Sequence, residues 1–350
     1  MSIFLKETNC WDKIKNSGKP VILYGMGNGA DMIIDVLHSY GIEYDDVFAS
    51  DRFVRGHFFH GKKVLKYSEV CEKYDDFIVV MTFAVRDRES LENVRKISRE
   101  HTLVSPTVPV AGDGLFTKEF IEENIEKVKK VYNLLADDLS RKTYLNVINF
   151  KISGNTDYLF DCFCKKENVY NDIFSFDNQK VILDLGAYDG DTVKEFYNAT
   201  NGKYKKIIAL EPDKKNFKKL VRNTENYHDV EKLNIGIWDK NTEMLFNQSA
   251  GRQSKIDNKG EVIEVRNIDS FIDENISLIK MDVEGCELRA LQGAKRVIKK
   301  YHPELYICAY HRNEDIFTLP LLIDEYDSSY KIYFRQHPYI PSWECNFYAI

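Results

Sequence analysis

Twice in this chain a short apolar strand runs directly into a glycine loop and then into a helix. Val21 to Tyr24 leads into Gly25-Met26-Gly27-Asn28-Gly29-Ala30. A helical stretch from Asp31 to Tyr40 follows, with Met32, Ile33, Val36 and Leu37 at helical spacing. Val181 to Leu185 leads into Gly186-Ala187-Tyr188-Asp189-Gly190, and then into a helix from about Asp191 to Ala199. A strand covered on both faces reads as a continuous apolar run. Strands that alternate with helices lie parallel in one sheet with helices packed over it. The two units therefore predict an α/β chain with two Rossmann-like cores.

The remaining segments extend this order. The first core continues through apolar stretches at Asp46–Ala49 and Phe77–Thr82, with a helical stretch from Ser68 to Tyr74. It fades where prolines and glycines gather between Pro106 and Gly114. Phe116 to Leu139 has helical periodicity, and Ser140 to Phe163 continues as helix and turn with a break at Gly154-Asn155. Beyond 178, strands are predicted at Lys206–Leu210, Lys232–Ile237, Glu261–Val265, Leu278–Met281 and Glu304–Ala309. Helices are predicted at Asn216–Asn223, from Gly285 to about Lys300, and from Asp315 to Tyr326. Tyr330–Arg335 and Glu344–Ala349 close the chain as an antiparallel pair. The boundaries predicted are 1–112 for an N-terminal Rossmann-like domain, 113–177 for a helical bridge or lid, and 178–350 for the second core.

The 350 residues suit two or three domains. With 43% hydrophobic and 30% charged residues, wholesale disorder is excluded. The 49 Lys+Arg against 55 Asp+Glu leave a net charge of −6, which argues against nucleic acid or an anionic membrane as partner. The longest strongly apolar run, Phe77–Val85, is too short to span a bilayer, and Met1–Cys10 lacks an apolar signal core. A cytoplasmic protein is expected. The seven cysteines are irregularly spaced without C-x-x-C, so buried free thiols are expected in place of disulfides or structural zinc.

Ligands of open parallel sheets sit beyond the carboxyl ends of the strands, where both glycine loops lie. Asp184, Asp189 and Asp191 crowd the second loop. A diphosphate on the following helix N-terminus would be repelled there. S-adenosylmethionine, with a sulfonium, an ammonium and no phosphate, suits the acidic loop on Coulomb grounds. Glu211, ending the next strand before Pro212-Asp213, can accept hydrogen bonds from both ribose hydroxyls. Taken singly, each loop acid serves equally well as a turn or capping residue. Their combination with the terminal Glu-Pro-Asp points to adenosine binding.

These residues carry a resemblance. Val181–Thr192, Leu210–Asp213, Ile279–Glu287 (Ile-Lys-Met-Asp-Val-Glu-Gly-Cys-Glu), Tyr310–Asp315, Trp343-Glu344 and Phe347–Ala349 look like FkbM-type methyltransferases over about half of the chain, from 178 to 350. The resemblance implies a class I, seven-stranded methyltransferase sheet with a terminal antiparallel hairpin. It also implies dependence on S-adenosylmethionine and O-methylation of a sugar, glycan or natural product. It puts Asp184, Gly186, Ala187 and Gly190 on the methionine and sulfonium side of the donor, Glu211 on the ribose and Ile237-Trp238-Asp239 near the adenine, with Tyr188, Asp189 and Pro212 also among the donor-binding residues. Tyr188 stands where many class I members carry a second glycine, a departure the family shares. Trp238 fits ordinary core packing equally well.

Transfer of a methyl group by in-line displacement requires alignment and removal of the acceptor's proton. Candidates at strand ends are Asp282, Glu284, Glu287 and His311, with His311 first as base and Asp282 second. Asp282, Glu284 and His311 can instead hold a divalent metal, or Asp282 can cap the following helix with Glu284 and Glu287 favouring its positive end. Asp315 and Arg335 are further polar residues near strand ends.

The N-terminal loop is neutral and tolerates phosphate. Gly25, Gly27 and Gly29 with Asp51 in the ribose-type place, and Arg52 and Arg55 close behind, admit a nucleotide, a nucleotide-sugar or NAD. A degenerate core used for docking or dimerisation fits them too, and a homo-oligomer stays open. An NAD-dependent oxidoreductase and a non-catalytic binding protein are the competing functions. No hydride-transfer constellation follows the first loop, which favours the methyltransferase.

Overall fold

The computed structural model describes residues 5–51, 54, 56–247, 255–256 and 260–350. The first sheet contains β1 (Val21–Tyr24), β2 (Asp46–Phe48), β3 (Phe58–Phe59), β4 (Lys62–Leu65), β5 (Ile78–Met81) and β6 (Thr102–Val104), in the order β3-β4-β2-β1-β5-β6. All its pairings are parallel except the short β3–β4 hairpin. The strands β7 (Val181–Leu185), β8 (Lys206–Leu210) and β9 (Val230–Leu233) begin the second sheet. A small separate sheet follows, made of β10 (Gly236–Ile237), β11 (Thr242–Asn247), β12 (Lys255–Ile256) and β13 (Glu261–Arg266). The second sheet is completed by β14 (Leu278–Met281), β15 (Glu304–Cys308), β16 (Ile332–Gln336) and β17 (Cys345–Ala349).

The second sheet has seven strands in the order β16-β17-β15-β14-β7-β8-β9. Its central pairings are parallel, and β17 runs antiparallel to both β15 and β16. The expected parallel sheet with a terminal antiparallel hairpin is present. Every residue of β7 is buried, as its Val-Ile-Leu-Asp-Leu sequence requires for a strand covered on both faces.

The helix Asp138–Ser153 starts at Asp137, whose carboxylate accepts from Ser140 N, and stops at Gly154 in the left-handed region. Its buried Tyr144, Val147, Ile148 and Phe150 belong to one core with Ile22 and Val79 of the first sheet and Leu183 and Phe347 of the second. Arg335 of β16 forks onto Asp137 at 2.6 and 3.1 Å and reaches Ser140 Oγ at 2.6 Å. This helix therefore works as packing between the sheets, and Arg335 fastens it. Asp315 is likewise structural in its contacts, accepting from Arg312 N at 2.9 Å.

Three predicted elements differ. Lys232–Ile237 is not one strand. The chain leaves the second sheet at Asn234, whose side-chain amide donates to the carbonyls of Glu211 and Pro212, and Gly236-Ile237 pairs with β13. Glu261–Val265 forms a strand, but in the small sheet, where one face is exposed and the other buried. The long helix after Gly285 is two helices, Glu287–Gln292 and Lys295–Tyr301. A Cβ at Gly293 would overlap the carbonyl oxygen of Trp238. Asp269 starts the second helix by accepting from Arg296 N and Val297 N at 2.7 and 2.9 Å. Asp282 does not cap the first of these helices, whose N-cap is Cys286.

Among the described residues no helix is long and apolar enough to cross a membrane, and all seven cysteines are free.

Candidate active site

A cleft of about 360 Å³ opens at the carboxyl ends of β7, β8, β14 and β15. Its floor is set by a cross-strand pair. Asp184 and Lys280 are register partners on β7 and β14, so their side chains share a face. The Lys280 ammonium lies 3.1 Å from Asp184 and donates to the Gly186 carbonyl at 2.8 Å. Burial disfavours the charge on Lys280, but Asp184 and Asp282 more than offset it and hold the lysine protonated.

The loop after β7 is pressed against the chain after β14. A Cβ at Gly186 would overlap the carbonyl oxygen of Asp282, and Gly186 sits at φ +78°. Tyr188 and Glu284 adopt φ +47° and +53°, rare for residues with a side chain, and both line the cleft. Tyr188 thus takes a backbone conformation that favours glycine. Its N–H donates to Glu211 Oε2 at 2.9 Å, and Asp213 N donates to Glu211 Oε1 at the same distance. Burial pushes the Glu211 carboxyl up to about 8, against the pull of these two donors.

Past β14 and β15 the charges converge on His311, which is only 1% exposed. Its Nδ1 lies 2.9 Å from Glu287, and its Nε2 lies 3.4 Å from Glu284 and 3.5 Å from Asp282. Burial would lower the imidazole's pKa. Glu287 outweighs that, with help from Glu284 and Asp282, and holds it well above the ordinary value. Asp282 faces the cleft and accepts from Tyr310 Oη at 3.1 Å. Burial pushes its carboxyl up, but Lys280 and His311 prevail and keep it below the usual range. Glu284 is raised, chiefly by burial.

Asp282, Glu287 and His311 offer potential ligand atoms within 4.8 Å of one another. Both ring nitrogens of His311 face carboxylates, so this cluster balances its charge with an imidazolium. The close set contains Glu287 in place of the Glu284 expected from the sequence.

Of the residues expected to hold the donor, Gly186, Tyr188, Glu211 and Pro212 line the cleft beside Asp282, Glu284 and His311. Asp184 and Ala187 are buried beneath it. Gly190 is the N-cap of the helix Asp191–Ala199, and Asp189 offers its carbonyl to Asn223. Ile237 reaches the cleft, but Trp238 and Asp239 are engaged by Arg289, with the guanidinium 5.6 Å over the indole and 2.8 Å from the carboxylate.

Other cleft residues escaped the sequence. Lys166 lies between Glu195 and Glu344 at 3.4 and 3.5 Å. Arg86 and Val110 reach the cleft from the N-terminal part of the chain. For Lys280 there was a signal, an isolated charge inside an apolar strand. For Lys166 and Arg86 there was none.

The first glycine loop is built differently. A Cβ at Gly25 would stand 2.5 Å from Phe83, and one at Gly29 would stand 2.5 Å from the Thr82 carbonyl oxygen, whereas Gly27 faces open space. Tyr24 stacks on Phe48 at 4.5 Å and meets Phe83 edge-on at 4.7 Å. Asp51 is exposed; Arg52 and Arg55 lie outside the described residues.

The strand order, terminal hairpin and cleft define a methyltransferase fold. Residues 184–337, in the C-terminal part of the chain, match the family model described as the methyltransferase FkbM domain. The structure is similar to the crystal structure of methyltransferase FkbM from Methylobacillus flagellatus KT. The TM-score is 0.74 and the identity 22%, with 99% of this chain and 95% of that chain covered. Looser overlaps occur with an rRNA methylase from Streptococcus thermophilus (TM-score 0.35, 12% identity, 53% of this chain and 92% of that one). Fibrillarin from Aeropyrum pernix, in complex with S-adenosyl-L-methionine, overlaps similarly (TM-score 0.34, 9% identity, 53% and 73%). No curated protein matches the sequence.

Proposed function

We propose that this methyltransferase uses S-adenosylmethionine to O-methylate a hydroxyl of a sugar, glycan or natural product. The observation that carries the proposal is Glu211. Each of its oxygens accepts one backbone N–H, and a carboxylate oxygen has room for another donor. It lines the cleft beside apolar Ile235 and Ile237. A ribose diol on Glu211 and an adenine against the isoleucines fit this arrangement. Gly186, Tyr188 and Pro212 would flank the donor, while Asp184, Ala187, Asp189 and Gly190 would shape its loop from below. The acids lining the cleft, Asp191 and the ionised Asp282 among them, favour a sulfonium over a diphosphate.

When bound, the cofactor supplies an electrophilic methyl group. The chain's own part is to align a hydroxyl and take its proton. Asp282 is ionised and faces the cleft, so it accepts that proton as the new C–O bond forms. His311 stands behind it, carrying its proton, and supports Asp282 as an anion. The base role therefore goes to Asp282, with His311, itself flanked by Glu284 and Glu287, beside it. On this reading the chain acts in the cytoplasm on a small molecule or glycan.

Titration of the protein with S-adenosylhomocysteine tests the donor site. Binding that Glu211→Ala abolishes supports the proposal; equal binding by both proteins overturns it. Transfer of a labelled methyl group to a panel of sugars, glycans and nucleotide-sugars then finds the acceptor.

A further inference from the structure

The cations lining the cleft are not equivalent. Lys280 is matched by Asp184, Lys166 by Glu195 and Glu344, and His311 by Glu287. Arg86 is exposed, and among the described residues it is the cleft cation without an ion-pair partner. An unmatched guanidinium in a cleft otherwise rich in carboxylates marks the place where a negative group is welcome.

Its position is fixed by the backbone. Val85 and Ile340 exchange two hydrogen bonds, Val85 N to the Ile340 carbonyl at 2.8 Å and Ile340 N to the Val85 carbonyl at 2.9 Å. This clamp ties the chain beyond β5 to the connection between β16 and β17. That connection carries Tyr339 and Trp343, whose ring centroids are 6.2 Å apart, and both line the same cleft as Arg86. A second tie, from Ala111 N to the His311 carbonyl at 2.9 Å, holds the neighbouring N-terminal segment against the catalytic end. The N-terminal part of the chain thus supplies one wall of the site.

We propose that Arg86, with Tyr339 and Trp343, forms an acceptor subsite that reads an anionic group, a phosphate or a carboxylate, on a sugar-like acceptor. The acceptor hydroxyl lies at Asp282, its ring rests against the aromatic pair, and its anion meets the guanidinium. The planar fork of arginine matches both anions with two parallel hydrogen bonds. The carboxylates at the other end repel the same anion, so the acceptor is admitted in one orientation. This inference rests on the methyltransferase function proposed above.

The test is calorimetric titration of the full-length protein, with and without S-adenosylhomocysteine, using glucose 1-phosphate, glucuronate and methyl glucoside as probes. At least one anionic probe is expected to bind about tenfold or more tighter than methyl glucoside, the usual scale of a charge-assisted pair. The better of the two identifies phosphate or carboxylate. Arg86→Ala should erase the preference and Arg86→Lys should keep part of it. Neither substitution should change the affinity for S-adenosylhomocysteine. If neither anion outbinds methyl glucoside, or if Arg86→Ala keeps the preference, the subsite is refuted. If S-adenosylhomocysteine fails to bind while the anion preference still depends on Arg86, the donor assignment falls and the anion site stands.

Discussion

The two strand–glycine–helix units look alike in sequence and differ in the described residues that surround their loops. At the first, Gly25 makes room for Phe83, Gly29 makes room for the Thr82 carbonyl, and Tyr24 packs its ring on Phe48 and Phe83. At the second, Gly186 makes room for the Asp282 carbonyl and Gly190 for Thr224, but the space beyond is a cleft ringed by carboxylates. In both loops glycine allows protein to approach protein. What separates them is the chemistry facing outward. A glycine pattern therefore marks a close approach, and the charges and rings around it decide whether a ligand follows.

The sharpest way to break this contrast is a Cβ in each loop. Gly186→Ala forces a methyl group onto a backbone carbonyl at a left-handed φ, and should cost upwards of about 5 kcal/mol in urea unfolding. Gly27→Ala meets nothing within 4 Å and carries only the strain of φ +101°, about 1–2 kcal/mol. Equal losses would show that Gly27 is held as tightly as Gly186. Lys280→Met strands Asp184 in the sheet and should destabilise by about 3–4 kcal/mol. The double change with Asp184→Leu should recover most of that loss.

Activity gives the next effect down. Asp282→Asn should lower kcat by about 100-fold with the affinity for S-adenosylhomocysteine unchanged, measured by labelled methyl transfer and calorimetry. A smaller effect is expected of Glu211 in the unliganded protein. The folded state holds its proton up to about pH 8, whereas the unfolded chain releases it near 4.5. Stability is therefore fullest below 4.5 and falls as pH rises towards 8. Glu211→Gln should remove that slope in melts followed from pH 5 to 9.

The sequence exposed what is local. Apolar runs ending in glycine or acid mark β1, β7, β8 and β14, a run ending at Tyr310-His311 marks β15, and because ligands sit at such strand ends, Glu211, Asp282 and His311 stand out from the sequence alone. The small sheet is largely hidden in the sequence, because β13 has one exposed face and alternates apolar with polar residues. The break at Gly293 was hidden as well, since Asp269 and Trp238, which cause it, are distant in the chain. In the cleft, Lys166 and Arg86 come from segments whose own sequence says nothing of a site. Only tertiary packing brings them to it. Trp238 shows the converse, an aromatic at a suggestive place that packs under Arg289 and leaves the cleft to Ile237.

The difference between the loops can be put to one calorimetric experiment, in which wild type, Glu211→Ala and Gly27→Ala are each titrated with S-adenosylmethionine and with NAD. One molecule of S-adenosylmethionine should bind per chain to wild type and to Gly27→Ala, none should bind to Glu211→Ala, and NAD should give no heat with any of them. NAD binding to wild type that Glu211→Ala removes, with no heat from S-adenosylmethionine, would contradict the assignment of the acidic cleft.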